Sequence, residues 1–158
     1  MTDAPHVHRY TASCAWHGST ARGYDAYDRR HRAEAPPAPS TLELSSDPAF
    51  RGDVALLNPE QLLVTAAASC QLLSFLAVAA RARIDVVDYQ DEAEGEMPED
   101  DPPMRITRIT LRPRITIRGT VDEERIGHLV DVAHRECFIA NSLTTEVVIE
   151  PEVMRATD

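Results

Sequence analysis

The 158-residue chain carries 16 basic residues, every one an arginine, against 26 acidic ones, for a net charge of −10. That length suits a single domain over residues 1–158, and 43% hydrophobic with 5% aromatic residues predicts an aliphatic, alanine-rich core. So acidic a surface repels polyanions, which excludes nucleic acid as an expected partner.

The opening MTDAPHVHRY lacks a cationic start followed by an apolar stretch, so no signal peptide is expected. Three widely spaced cysteines do not make a secreted disulfide scaffold, and a reducing cytoplasm is the expected compartment. Residues 8–16 alternate, with Tyr10, Ala12, Cys14 and Trp16 on one face, which predicts a half-buried strand and makes Cys14 a packing residue. A turn at residues 17–20 leads to a returning strand within 24–33. The Pro-rich stretch 35–39 breaks regular structure, and a short strand over 41–44 precedes a loop over 46–53.

Asn58-Pro59-Glu60 reads as a helix start. Asn58 suits the N-cap, Pro59 needs no donor at the first position, and Glu60 faces the positive end of the helix dipole. From Leu62 to Ala80 no charged residue appears. The run has the length of a membrane span, yet it contains Thr65, Ser69, Gln71 and Ser74 and has no positive flank before it. A buried central helix is therefore expected, and no membrane. At helical spacing Leu63, Ala66, Cys70, Leu73 and Ala77 share a stripe, which predicts that Cys70 points inward; Arg81 and Arg83 suit the C-terminal end.

A strand over 84–89 and an acidic exposed loop over 91–103 follow. From Thr107 the chain alternates again: Ile109, Leu111, Pro113, Ile115 and Ile117 against Arg108, Arg112, Arg114 and Arg118, a sheet with a solvated arginine face, where Pro113 suggests an edge or a bulge. Thr120 and Glu123 have capping-box spacing before a second amphipathic helix of Ile126, Leu129, Val130 and Ala133, whose stripe ends on Cys137. A last strand lies within 144–150. The order predicts an α+β domain with a mainly antiparallel sheet.

Two cysteines thus fall on the inner stripes of the only two predicted helices, where Cys70 and Cys137 can meet. A thiol pair can run peroxide chemistry: a thiolate attacks the O–O bond, an alcohol leaves, and the second thiol captures the sulfenic acid as a disulfide. A nearby arginine would favour the thiolate, and a carboxylate such as Glu60 would hold that arginine. The plainer reading makes both cysteines small hydrophobes in a core. His134, one turn before Cys137, either helps activate that thiol or interacts with the helix dipole. The six histidines and three cysteines show no metal-site spacing, and neither a metal nor a cofactor is expected.

NPEQLLVTAAASC resembles the signature of the OsmC/Ohr family, the osmotically inducible protein C and organic hydroperoxide resistance proteins, and HRECFIANSL resembles that family's segment around its second cysteine. SSDPAFRGD, VVDYQDEAEGEM and RITLRPRITI resemble an OsmC-like branch of it. The resemblance implies an OsmC-like fold, antiparallel sheets around two central helices in an intertwined homodimer with active sites at the subunit interface. It implies a thiol peroxidase favouring organic hydroperoxides, with Cys70 peroxidatic, Cys137 resolving, Glu60 orienting an arginine, and a dithiol such as a lipoylated protein as reductant. The YDRRH segment points to Arg29 as that arginine, whereas the Trp16…Arg22-Gly23 hairpin points to Arg22; Arg29 is the choice here. Two positions depart from the family pattern: Gln71 stands where that branch commonly has histidine, and Phe138 stands where typical Ohr proteins have proline. The alternative is a non-catalytic OsmC-like dimer that binds a hydrophobic small ligand.

Overall fold

The computed structural model describes residues 6–120 and 122–157, grouped into two compact units that divide after Pro59. In the first unit, β1 (Ser13–Ala15), β2 (His31–Glu34) and β3 (Thr41–Leu44) form an antiparallel sheet in the order β1-β2-β3. β1 is far shorter than the alternation over 8–16 suggests, and β2 occupies only the end of the stretch read as the returning strand. Cys14 is exposed, as is all of β1. This corrects its reading as a packing residue: period-two alternation marks a strand face but does not supply a layer to cover it.

The rest of this unit is held by local polar bonds. Asp47 caps a 3-10 turn (Pro48–Phe50) by accepting from Ala49 N–H at 2.7 Å. Gly52 then runs so close to the Ser46 carbonyl that any Cβ would overlap it. The loop expected there is a tightly wound corner.

In the second unit, α1 (Pro59–Arg81) begins where the Asn-Pro-Glu start places it. β4 (Asp85–Asp91) and β5 (Glu94–Glu96) follow, so the acidic segment read as a loop contains a short strand. The long alternating segment is two strands, β6 (Arg108–Leu111) and β7 (Pro113–Arg118), separated at Arg112. α2 (Glu123–Glu136) is capped by Asp122, whose side chain accepts from Glu124 N–H, and not by Thr120. A carboxylate two residues from an open N–H captures it, so the capping-box spacing had a competitor beside it. β8 (Glu146–Ile149) and β9 (Glu152–Arg155) complete the chain; β9 has no counterpart among the predicted strands.

These strands form two three-stranded sheets, β4-β7-β9 and β5-β6-β8. β7 is antiparallel to β4 and β6 to β5, whereas β6–β8 and β7–β9 are parallel. Pro113 therefore opens a central strand rather than an edge, at a first position where a missing N–H is tolerated. The predicted faces hold: Ile109, Leu111, Ile115 and Ile117 are fully buried. Each facing arginine meets an acid, Arg108 with Glu146 at 2.8 Å, Arg112 with Glu94 and Glu150 at 3.1 Å, and Arg118 with Asp85 at 3.0 Å. Such exposed pairs are worth roughly 0–1 kcal/mol each, so the isoleucine face supplies the stability and the arginine face supplies register.

α1 serves two cores. Phe75, Val78 and Ala79 pack with Ile115, Ile117, Ile126, Val130 and Ala133, while Ala67 packs with Ile106, Ile109 and Leu111. By length and composition α1 could also cross a membrane, although no other described helix could. Its buried stripe is Ala67, Gln71, Phe75, Val78 and Ala79, one residue on from the predicted one, a rotation of about 100°. Leu73, expected inside, is 62% exposed, and Ala77 is exposed as well. The helix is apolar on nearly every side, so its sequence carries no polar face to fix the rotation.

Candidate dithiol site

That rotation leaves Cys70 half-buried at the border between the packed and open sides of α1. Gln71, next to it, is fully buried and donates from Nε2 to the Val130 carbonyl of α2 at 3.4 Å, which ties the two helices together beside the thiol. Cys137 ends α2 as its C-cap, with ψ 110, and is 1% exposed. From there the backbone turns back over α1 through Phe138 and Ile139 into a 3-10 turn (Ala140–Ser142). Ile139 N–H donates to Cys70 Sγ at 3.5 Å, and the Cys137 thiol hydrogen-bonds to the same sulfur.

The two thiols are electrostatically unequal. Burial by itself raises Cys70, but donors to its sulfur from the Ile139 backbone, the Cys137 thiol, the Phe138 backbone and the Ser74 hydroxyl outweigh it, and the net shift is downward. Cys137 is pushed up to about 11, first by burial and then by the neighbouring Cys70, against N–H groups of Ala140 and Ile139 that favour its anion. Of the two, Cys70 is the thiol that ionises first, with the Cys137 thiol in hydrogen-bond contact with its sulfur. A nucleophile and a protonated partner in direct contact is the ground state that sulfur–oxygen exchange followed by disulfide closure requires.

Cys70 opens onto a cavity of about 600 Å³ with a largely apolar wall that includes Leu73, Ala77 and Phe138. Arg81 and Glu136, paired at 2.6 Å, and Arg135 stand on its lining too. None of these was picked out as a site residue. Arg81 reads in sequence only as a helix-end cation, and nothing local predicts that the ends of α1 and α2 meet.

Glu60 occupies the first turn of α1, ten residues before Cys70, which at 1.5 Å per residue is about 15 Å along the same helix. Arg29 belongs to the first unit, where its guanidinium donates to the Tyr27 and Tyr24 carbonyls at 2.8 and 2.7 Å and lies 4.0 Å from the Tyr27 ring centroid. Arg22 is exposed in the turn that Gly23 closes with φ 88. His134 has a buried Nδ1 without a hydrogen-bond partner among the described residues, and its carbonyl accepts from Cys137 N–H at 3.2 Å. No cluster of metal-ligating side chains occurs among the described residues.

Residues 52–152 match the family model described as OsmC-like protein. The structure of an OsmC-like protein of unknown function from Vibrio cholerae superposes with a TM-score of 0.81 at 30% identity, covering 92% of this chain and 99% of that one. An organic hydroperoxide resistance protein OsmC from Legionella pneumophila superposes with a TM-score of 0.67 at 19% identity, covering 95% and 99%, a likeness of fold alone. The uncharacterised protein YmaD of Bacillus subtilis is 26% identical over 98 residues, which span 60% of this chain and 65% of that protein. With two-helix α+β architecture, the family's cysteine segments and this match in hand, the chain belongs to the OsmC-like family.

Proposed function

We propose that the protein is a cysteine-based reductase of organic hydroperoxides. The observation that carries this reading is the unequal pair, Cys70 with its thiol shifted downward and in hydrogen-bond contact with the raised thiol of Cys137, at the edge of an apolar cavity. The Cys70 thiolate attacks the terminal oxygen of ROOH, the O–O bond breaks, and the departing alkoxide takes a proton to leave as ROH. Cys137 sulfur then attacks the Cys70 sulfenic acid. The S–S bond forms, and hydroxide leaves as water with the Cys137 proton. A dithiol, such as a lipoylated protein in a reducing cytoplasm, returns both thiols and is itself oxidised to a disulfide.

The apolar wall favours an organic substituent over hydrogen peroxide, because burying hydrocarbon offsets part of the cost of binding. The active form is proposed to be a homodimer. Glu60 lies about 15 Å along the helix from the Cys70 of its own chain, so in this reading Glu60 and Arg29 serve the Cys70 of the second copy. The same cavity also suits a non-catalytic protein that stores a hydrophobic ligand, and one assay separates the two. Reduced protein mixed with cumene hydroperoxide is expected to release cumyl alcohol in stoichiometric yield, faster than it consumes hydrogen peroxide. Recovery of intact hydroperoxide, bound or free, would favour storage and remove the reductase.

A further inference from the structure

Arg29 is half-buried, whereas every other described arginine is exposed. Residues 20–28 build its surroundings. Gly23, with φ 88, closes a turn by donating to the Thr20 carbonyl at 3.0 Å, and Ala26 N–H then donates to the Gly23 carbonyl at 3.2 Å. Tyr24 and Tyr27 leave this turn with their rings edge to face, 6.3 Å apart at 79°. Each tyrosine holds Arg29 twice. Its carbonyl accepts from the guanidinium, at 2.7 Å for Tyr24 and 2.8 Å for Tyr27, and its ring lies against Cζ, at 4.7 and 4.0 Å. Trp16, the residue after β1, braces the pair: its ring meets Tyr27 edge to face at 6.1 Å, and its Nε1–H donates to the Asp28 carbonyl at 2.7 Å. Gly18 leaves room for that ring, since a Cβ there would stand 2.6 Å from the indole. None of the partners of Arg29 carries charge. The acids nearest in sequence are engaged otherwise, Asp25 with Arg51 at 2.6 Å and Asp28 with the Arg30 N–H at 2.9 Å. The remaining guanidinium N–H groups bond to nothing among the described residues.

Carbonyls and ring faces stabilise a cation without neutralising it, whereas a bidentate carboxylate cancels its field. We infer that Tyr24 and Tyr27, braced by Trp16, are the positioning residues of Arg29, and that the first unit by itself presets this guanidinium with its full charge and its unbonded N–H edge left for an anion. The clamp is made of residues of one unit, so it does not depend on Glu60 to set the arginine. Its purpose, favouring the thiolate of Cys70, rests on the reductase reading; the clamp itself does not.

The test follows the mobility of Arg29 Nε by NMR relaxation in the full, reduced chain, comparing wild type with Tyr27→Leu, Tyr27→Phe and Glu60→Gln. In wild type the Arg29 side chain is expected to be as rigid as the backbone. Tyr27→Leu removes the ring and keeps the carbonyl, and is expected to set the side chain loose; Tyr27→Phe returns the ring face and is expected to restore it. Glu60→Gln is expected to leave it rigid. A mobile Arg29 in wild type, a rigid one in Tyr27→Leu, or one loosened by Glu60→Gln overturns the inference. Should Tyr27→Leu not fold, Tyr24→Leu decides by the same reading, since that ring is 59% exposed and little packing depends on it. Single-turnover consumption of cumene hydroperoxide then ties the clamp to the reaction. Tyr27→Leu is expected to slow it roughly tenfold, less than Arg29→Gln does, and Tyr27→Phe to rescue it. Full speed in Tyr27→Leu beside a slow Arg29→Gln overturns the positioning role. Full speed in Arg29→Gln, with a wild-type Arg29 held rigid by the tyrosines, counts against the reductase reading and leaves the clamp standing.

Discussion

Cys70→Ser is expected to abolish hydroperoxide consumption, by roughly 10³-fold or more, while circular dichroism and the thermal transition stay near wild type. The substitution exchanges one small polarisable atom for another at a half-buried position, so packing changes little. What disappears is the anion, since a serine hydroxyl does not ionise near neutral pH and the Ile139 N–H then faces a neutral oxygen. The wild-type pH profile carries the same information. Donors to its sulfur lower Cys70 from the ordinary thiol value, and only its thiolate attacks, so the rate is expected to reach its plateau at lower pH than that of a free thiol. It should fall as pH drops through the lowered midpoint. A half-maximum at or above the free-cysteine value of ~8.5 would mean that the donors around the sulfur do not outweigh its burial.

Cys137→Ser is expected to behave differently, consuming one equivalent of hydroperoxide rapidly and then failing to turn over. The first chemical step uses the Cys70 thiolate, and a serine hydroxyl at 137 still offers it a hydrogen bond, so the first equivalent should be lost within about tenfold of the wild-type rate. Resolution then fails for lack of a second sulfur. Cys70 is left as a sulfenic acid that further hydroperoxide carries to sulfinic and sulfonic acids, which a dithiol does not reverse. Intact-mass measurement after increasing equivalents is expected to show stepwise addition of oxygen to the variant and only the loss of two hydrogens from wild type. Repeated turnover by the variant with a dithiol present would remove Cys137 from the mechanism.

What the sequence makes legible here depends on whether a residue's neighbours are near in the chain. The Asn-Pro-Glu start of α1, the Ile109–Ile117 face and the inward end of α2 at Cys137 are all local patterns, and each is seen in the structure. The rotation of α1 was not legible, because a helix with no charge from Leu62 to Ala80 has no polar side to mark. Cys14 illustrates the same limit in a strand, where alternation says which residues share a face and not whether anything covers it. The pairing of Cys70 with Cys137 followed from placing both on helix stripes, but the donors that make them unequal did not. The Ile139 N–H is backbone, common to almost every residue, and only the turn after Cys137 aims it at Cys70. Arg81 and Glu136 were missed for a related reason, since their ion pair joins the ends of two helices far apart in the chain.

The most direct measurement is a non-reducing peptide map of the reduced protein after one equivalent of cumene hydroperoxide. The expected product is a single cross-linked species joining the Cys70 and Cys137 peptides, with Cys14 still alkylatable. Cys70 recovered as a free thiol, or a disulfide formed through Cys14 instead, would contradict a dithiol mechanism at this site.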